Sequence, residues 1–347
     1  MLNGATVSPL RETWVDAAKG IAIISVVLYH SVILMADIGL ASIWVPLSGL
    51  LDSFRMPLFF FTAGLFAAKA LQLSFGALFR RRVARLLWLY LLWSLIYVTV
   101  FQFVPIAREG GPTWLGFLLI PIWPNASNWF IYALALFFMV TWLLRTLPVW
   151  VQFLPALALT VVFGTRLVSS GSEPLDKMAI YYVYFLAAVH FGSFARRLAP
   201  SVRIWHCVLL ALAYGAIATA IVLTAVERIP GVRIIASVIA IATGLSVAVI
   251  LDRLRAFQWL HRLGSHTLPI YLIHFYPILI TVALIRQFDV ELERASLLIP
   301  PVMAVVAILV ALGLWRLTRR VPGLYDLPGA GRTSPTAPPK YTSTSVS

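Results

Sequence analysis

Residues 11–30 read Arg-Glu-Thr-Trp-Val-Asp-Ala-Ala-Lys-Gly-Ile-Ala-Ile-Ile-Ser-Val-Val-Leu-Tyr-His, and the apolar run continues to Met35. Three ionisable side chains, Asp16, Lys19 and His30, lie on or in this run. A helix turns by about 100° per residue, so the steps from Lys19 to His30 return to within about 20° of one face. Asp16 lies on that face too, one turn before Lys19. The rise between Lys19 and His30 is about 16 Å, roughly half the hydrocarbon core of a bilayer. With Lys19 at a membrane surface, His30 stands near the midplane, where an ionisable group is costly and marks a functional candidate.

The rest of the chain supports that setting. Of 347 residues, 61% are hydrophobic and only 12% are charged. A soluble domain is nearer half apolar and a quarter charged, so the composition predicts an all-α polytopic membrane protein. Ten segments of spanning length can be drawn, at about 17–36, 44–70, 83–105, 128–146, 148–167, 178–195, 205–226, 232–250, 266–286 and 297–316. The lone Cys207 excludes an internal disulfide and a cysteine-based metal site. No cleavable signal peptide is expected, because the first apolar run lacks a convincing cleavage site and carries His30.

The formal charge of +14 raises the question of nucleic acid, but its distribution answers it. Lys and Arg collect on alternate loops: Arg11 and Lys19, then Lys69 to Arg85, Arg196 to Arg203, Arg253 to Arg262, and Arg316 to Lys340. Fewer face the other side, among them Arg108, Arg166, Lys177, Arg233, Arg286 and Arg294. The positive-inside rule puts both termini in the cytoplasm of a cell (inner) membrane protein and explains the basic charge without nucleic acid. Residues 106–127 are too broken by Gly and Pro to span, and their tryptophans suggest an interfacial or re-entrant loop. Residues 1–324 form the membrane domain. Residues 325–347, rich in Pro, Ser and Thr, read as a disordered cytoplasmic tail.

Several side chains are candidates for chemistry. An imidazole such as His30 is suited to general-base work. Asp16 and Lys19 are too far along the helix to touch it and belong at the cytoplasmic mouth. Segment 2 holds Arg55 inside the membrane, with Asp52 one turn away and Pro57 freeing the Ser53 carbonyl, which points to a polar cavity. Arg80, Arg81, Arg82 and Arg85 open segment 3, and guanidinium forks suit a polyphosphate ligand. In segment 9, His274 reaches about the depth of His30. No His pattern has metal-ligand spacing, so no metal is expected.

Taken together these residues resemble the membrane acyltransferase 3 family, closest to the branch described as fucose 4-O-acetylase-like. Asp16-x-x-Lys19 through His30 is similar to its first helix. Met56-Pro-Leu-Phe-Phe-Phe-Thr-Ala-Gly64 is similar to its second-helix signature, and Arg80 to Arg85 to its basic third-helix start. Asn128-Trp-Phe130 and Leu268-Pro-Ile-Tyr-Leu-Ile-His274 match later motifs. Two positions depart from the pattern: Lys19 stands where many members have Arg, and Ala63 where Ser is common. The resemblance implies transfer of an acyl group, usually acetyl, from cytoplasmic acyl-CoA to a hydroxyl of a glycan, a lipid-linked sugar or another exported molecule. It makes His30 the essential histidine and places Lys19, Arg82 and Arg85 on family motifs. The expected site is a polar cavity between segments 1, 2, 3 and 9. There the four arginines hold the CoA phosphates, His30 acts as base, and Arg55 or His274 stabilises the oxyanion. The competing reading is a secondary transporter or flippase with His30, Arg55 and His274 as its path. It lacks an inverted repeat and paired broken helices.

Overall fold

The computed structural model describes residues 12–103, 112–124, 128–224, 226–288 and 296–329. Every regular element in them is helical. The first is α1, Thr13–Ala36. The second segment divides into α2 (Val45–Leu50), α3 (Asp52–Leu65) and α4 (Ala67–Ala70). The third comprises α5 (Phe75–Leu78), a π-helical turn at Phe79–Val83 and α6 (Ala84–Phe103). The short α7 (Trp114–Leu119), α8 (Trp129–Leu144), α9 (Val149–Gly164) and α10 (Glu173–Leu198) follow. The remaining helices are α11 (Ile204–Thr224), α12 (Val232–Arg253), α13 (Gln258–Gly264), α14 (Thr267–Ile273), α15 (Phe275–Phe288) and α16 (Ile299–Thr318).

Seven helical stretches are long and apolar enough to cross a membrane, among the described residues. Helices α8 and α9 are shorter but apolar. The chain is therefore an all-α polytopic membrane protein. Polar contacts between helix ends show successive segments running in opposite directions. At one end Arg196 Nε donates to Glu12, and Thr13 Oγ1 donates to Asp252 at 2.7 Å. At the other, Arg166 and Arg233 reach Asp52, and Arg286 donates to the Asp37 carbonyl.

Helices α1 and α10 are each 56% buried over their most apolar stretch, whereas α11 is 11% and α16 is 22% buried. The first pair forms the centre, with α3 packed against both, and the second pair faces lipid. Small residues allow this close packing, as expected where lipid gives helices no hydrophobic reason to associate. Gly264 lies directly on the backbone of Asp16, with no room for a Cβ. Gly64 is similarly pressed against the carbonyl of Phe185 in α10.

Three boundaries depart from the sequence expectation. Helix α10 begins at Glu173, inside what reads as a polar loop. Pro174 suits the first turn, and Asp176 accepts from the Ser169 hydroxyl and the Ser170 amide, pinning the helix start. Segment 9 is broken at His274, because Pro277 has no N–H for the Ile273 carbonyl four residues back. The expected tail boundary also moves. Tyr325 is buried, indole N–H groups of Trp88 and Trp93 donate to the Gly323 and Leu324 carbonyls, and Arg85 pairs with Asp326, so the chain stays against α6 as far as Asp326. Residues 330–347 of the tail lie outside the described residues, as do Arg11, Arg108 and Arg294 and the two ends of the interfacial loop, 106–111 and 125–127, while its middle carries the short, exposed α7.

Candidate active site

Two imidazoles meet inside the bundle. His274 Nε2 lies 3.1 Å from His30 Nδ1, across 244 residues of sequence. The same His30 Nδ1 is 3.0 Å from the Val26 carbonyl, one turn back in α1. His274 Nδ1 is 3.0 Å from the Ile270 carbonyl and 2.8 Å from that of Tyr271. Carbonyl oxygens only accept, so these partners assign the proton of neutral His274 to Nδ1. Its Nε2 is then an acceptor and takes the Nδ1–H of His30, shared with Val26. The lone pair of neutral His30 is thereby left on Nε2. His274 is buried, while His30 is half-buried.

A cavity of about 390 Å³ opens towards the Glu12 end of the bundle. Its walls come from α1, α3, α6, α8 and α14, and its polar rim carries Lys19, Arg82 and Arg85. Arg82 is exposed. Lys19 donates to Asp16 at 3.1 Å and lies 3.8 Å over the Phe66 ring. Arg85 pairs with Asp326 at 2.8 Å and donates to the Tyr325 carbonyl. Inward the walls turn apolar and aromatic, with Phe59 stacked on Phe130 at 4.5 Å and Tyr271 beside them. The two histidines are not on these walls. Tyr271 stands at the boundary, its ring 6.0 Å from that of His274.

A second pocket, also about 390 Å³, opens near the opposite end of α1 and is lined by Tyr29, Ser48, Asp52, Ser53, Arg166 and Arg233, among others. Asp52 is its only described carboxylate and binds three guanidiniums: Arg55 at 3.0 Å, Arg166 at 3.3 Å and Arg233 at 2.6 Å. Arg55 is buried and lies 3.4 Å over the Tyr29 ring, which also meets the ring of its neighbour His30 at 5.3 Å.

A family model described as an acyltransferase domain, of the acyltransferase 3 type, matches residues 12–316. The chain belongs to the acyltransferase 3 family. No curated protein and no solved structure matches it.

Within this acyltransferase the residues singled out from sequence fall into separate groups. His30 and His274 are brought together. Asp16 and Lys19 form an ion pair at the Glu12 end, apart from the histidines. Arg82 and Arg85 share the cavity with Lys19, whereas Arg80 and Arg81 are exposed and do not line it. Arg55 pairs with Asp52 as its spacing suggests, and makes no hydrogen bond to either histidine. The other histidines have structural partners: His190 meets Gln152 at 3.0 Å, and His266 meets the Arg262 carbonyl at 2.8 Å.

Sequence reasoning counted Arg166 and Arg233 as loop charges and missed their convergence on Asp52. Two signals were available for Arg233. It occupies the first turn of α12, where the helix dipole disfavours a cation. A buried Asp52–Arg55 pair also invites further partners, since charges inside a membrane are rarely left to one neighbour. Tyr29 and Tyr271, which border the histidine pair on its two sides, carry no sequence signal beyond their proximity to His30 and His274.

Proposed function

We propose that this membrane acyltransferase transfers an acyl group, acetyl in the simplest case, from acyl-CoA to a hydroxyl of a glycan, a lipid-linked sugar or another exported acceptor, with the Glu12 end in the cytoplasm of the cell membrane. The observation that carries the reading is the His30–His274 pair, which leaves the Nε2 lone pair of His30 available beyond a cavity rimmed by cations.

The phosphates of CoA suit the rim, where Arg82 and Lys19 offer charge-assisted hydrogen bonds. Arg80 and Arg81 add positive potential at the approach. Arg85 shares its guanidinium between this rim and Asp326. The thioester arm lies along the apolar walls, and a shift of the Tyr271 ring joins that space to the histidines. His30 Nε2 takes the proton of the acceptor hydroxyl as its oxygen attacks the thioester carbonyl. The carbon–sulfur bond breaks, and the leaving CoA thiolate recovers the proton from His30, giving an ester and free CoA. His274 acts as a positioning residue that fixes the His30 tautomer. This differs from the oxyanion role expected from sequence, because its Nε2 is engaged by His30 and its Nδ1 by the Ile270 and Tyr271 carbonyls. Arg55 binds Asp52 through one guanidinium nitrogen and stacks on Tyr29, and its other terminal nitrogen has no hydrogen-bond partner among the described residues.

The test uses membranes carrying normally inserted protein and radiolabelled acetyl-CoA. A His30→Ala variant is expected to lose acyl transfer, and near-normal turnover by it removes the mechanism. Family membership favours this reading over the transporter alternative.

A further inference from the structure

The pocket around Asp52 is built for an anion. It lies at the opposite end of the bundle from the CoA cavity, and Tyr29 connects its wall to His30. One carboxylate faces three guanidiniums, so the cluster formed by Asp52, Arg55, Arg166 and Arg233 holds an excess of two positive charges. Arg166 is exposed, but Arg55 and Arg233 are buried, and buried positive charge beyond what one carboxylate balances is costly without a further counter-charge. Arg233 is only 8% exposed and lines the pocket, yet its Nε has no hydrogen-bond partner among the described residues. The first turn of α12, which carries Arg233, adds the positive end of a helix dipole. Ser48 and Ser53 also line the pocket, with their hydroxyls held by the Val45 carbonyl and the Tyr214 hydroxyl.

We infer that this pocket binds a phosphate or carboxylate group carried by the acyl acceptor, so that the enzyme selects acidic acceptors over neutral ones. The inference rests on the acyltransferase reading above and specifies its second substrate. The bound anion completes the ion cluster, and the remainder of the acceptor extends past Tyr29 towards His30.

The experiment uses the full chain in phosphatidylcholine nanodiscs at constant ionic strength. Glucose 1-phosphate, glucuronate and glucose are titrated separately by calorimetry. Saturable binding of the two acidic sugars, with none by glucose, is expected. Arg233→Gln is the direct variant, but Arg233 is itself buried in the packed bundle. Arg166→Gln, at an exposed position, is therefore the primary variant. It is expected to weaken acidic-sugar binding about tenfold, the size of one charge-assisted hydrogen bond. Arg82→Gln, at the opposite end, is expected to leave this binding unchanged. Equal binding of glucose, or unchanged affinity in Arg166→Gln, overturns the inference. So does loss of acidic-sugar binding on moving to phosphatidylglycerol nanodiscs when that loss disappears in Arg166→Gln, since the pocket then holds a lipid headgroup. Acyl transfer by His30→Ala is measured in parallel. Retained transfer there overturns the catalytic reading while leaving the anion titration intact, so the two failures are distinguishable.

Discussion

The two pockets have the same volume, about 390 Å³, and opposite electrostatic designs. At the Glu12 end the cations stand at the rim, with Arg82 exposed and apolar walls behind it. At the Asp52 end the guanidiniums are interlocked on a single carboxylate, and two of them, Arg55 and Arg233, are buried. Rim charges are screened by salt and exchange ligands readily. Buried charges are screened little and hold one arrangement. The first design suits a donor that arrives and leaves each turnover, and the second suits selection. The histidine pair sits between them, with Tyr271 on one side and Tyr29 on the other.

That contrast can be broken at several points. The largest effect is expected at His30, which belongs to neither pocket. His30→Ala should lower kcat by about 10²–10⁴-fold, the usual worth of a general base, with little change in KM for acyl-CoA. At His274 the outcome should depend on whether the substitute can accept a hydrogen bond. His274→Phe should lower kcat by about 10–100-fold, in line with other orienting partners of histidine, and His274→Gln should recover part of that loss through its amide oxygen. Equal losses in the two variants would assign His274 a packing role only.

The rim should respond through binding rather than chemistry. Arg82→Gln should raise KM for acyl-CoA by about tenfold with kcat retained, and the effect should shrink at high salt. Steady-state kinetics at two ionic strengths measures both. A drop in kcat alone would move Arg82 from the donor rim to the reacting centre. The smallest effect concerns the frame that holds both pockets. Gly264→Ala forces a methyl onto the Asp16 backbone and should cost about 1–3 kcal/mol of stability. Gly313→Ala, inside α16, meets open space and should be neutral or stabilising by up to about 1 kcal/mol. Thermal unfolding in detergent compares the pair.

Much of the frame was legible in the sequence because bilayer thickness imposes a length on each apolar run. The ends of α8, α9, α11, α12 and α16 fall close to the runs read from composition. The start of α10 was missed since its first turn is held by a local Ser169–Asp176 cap, which hydropathy does not register. Tyr325 was assigned to the tail because Pro, Ser and Thr composition outweighed two tryptophans and an arginine waiting in α6.

For the site, the sequence determined the depth of His30 and His274, since helix rise is a fixed length per residue. It also determined that Asp52 and Arg55 would pair, since they lie one turn apart. Only the tertiary structure decided which groups at equal depth share a face of the bundle. It joined His274 to His30, and Arg166 and Arg233 to Asp52, across 244, 114 and 181 residues respectively. Depth is a one-dimensional property that each helix carries by itself. Rotation and neighbour choice come from small-residue contacts such as Gly264 on Asp16, which exist only when both helices are present.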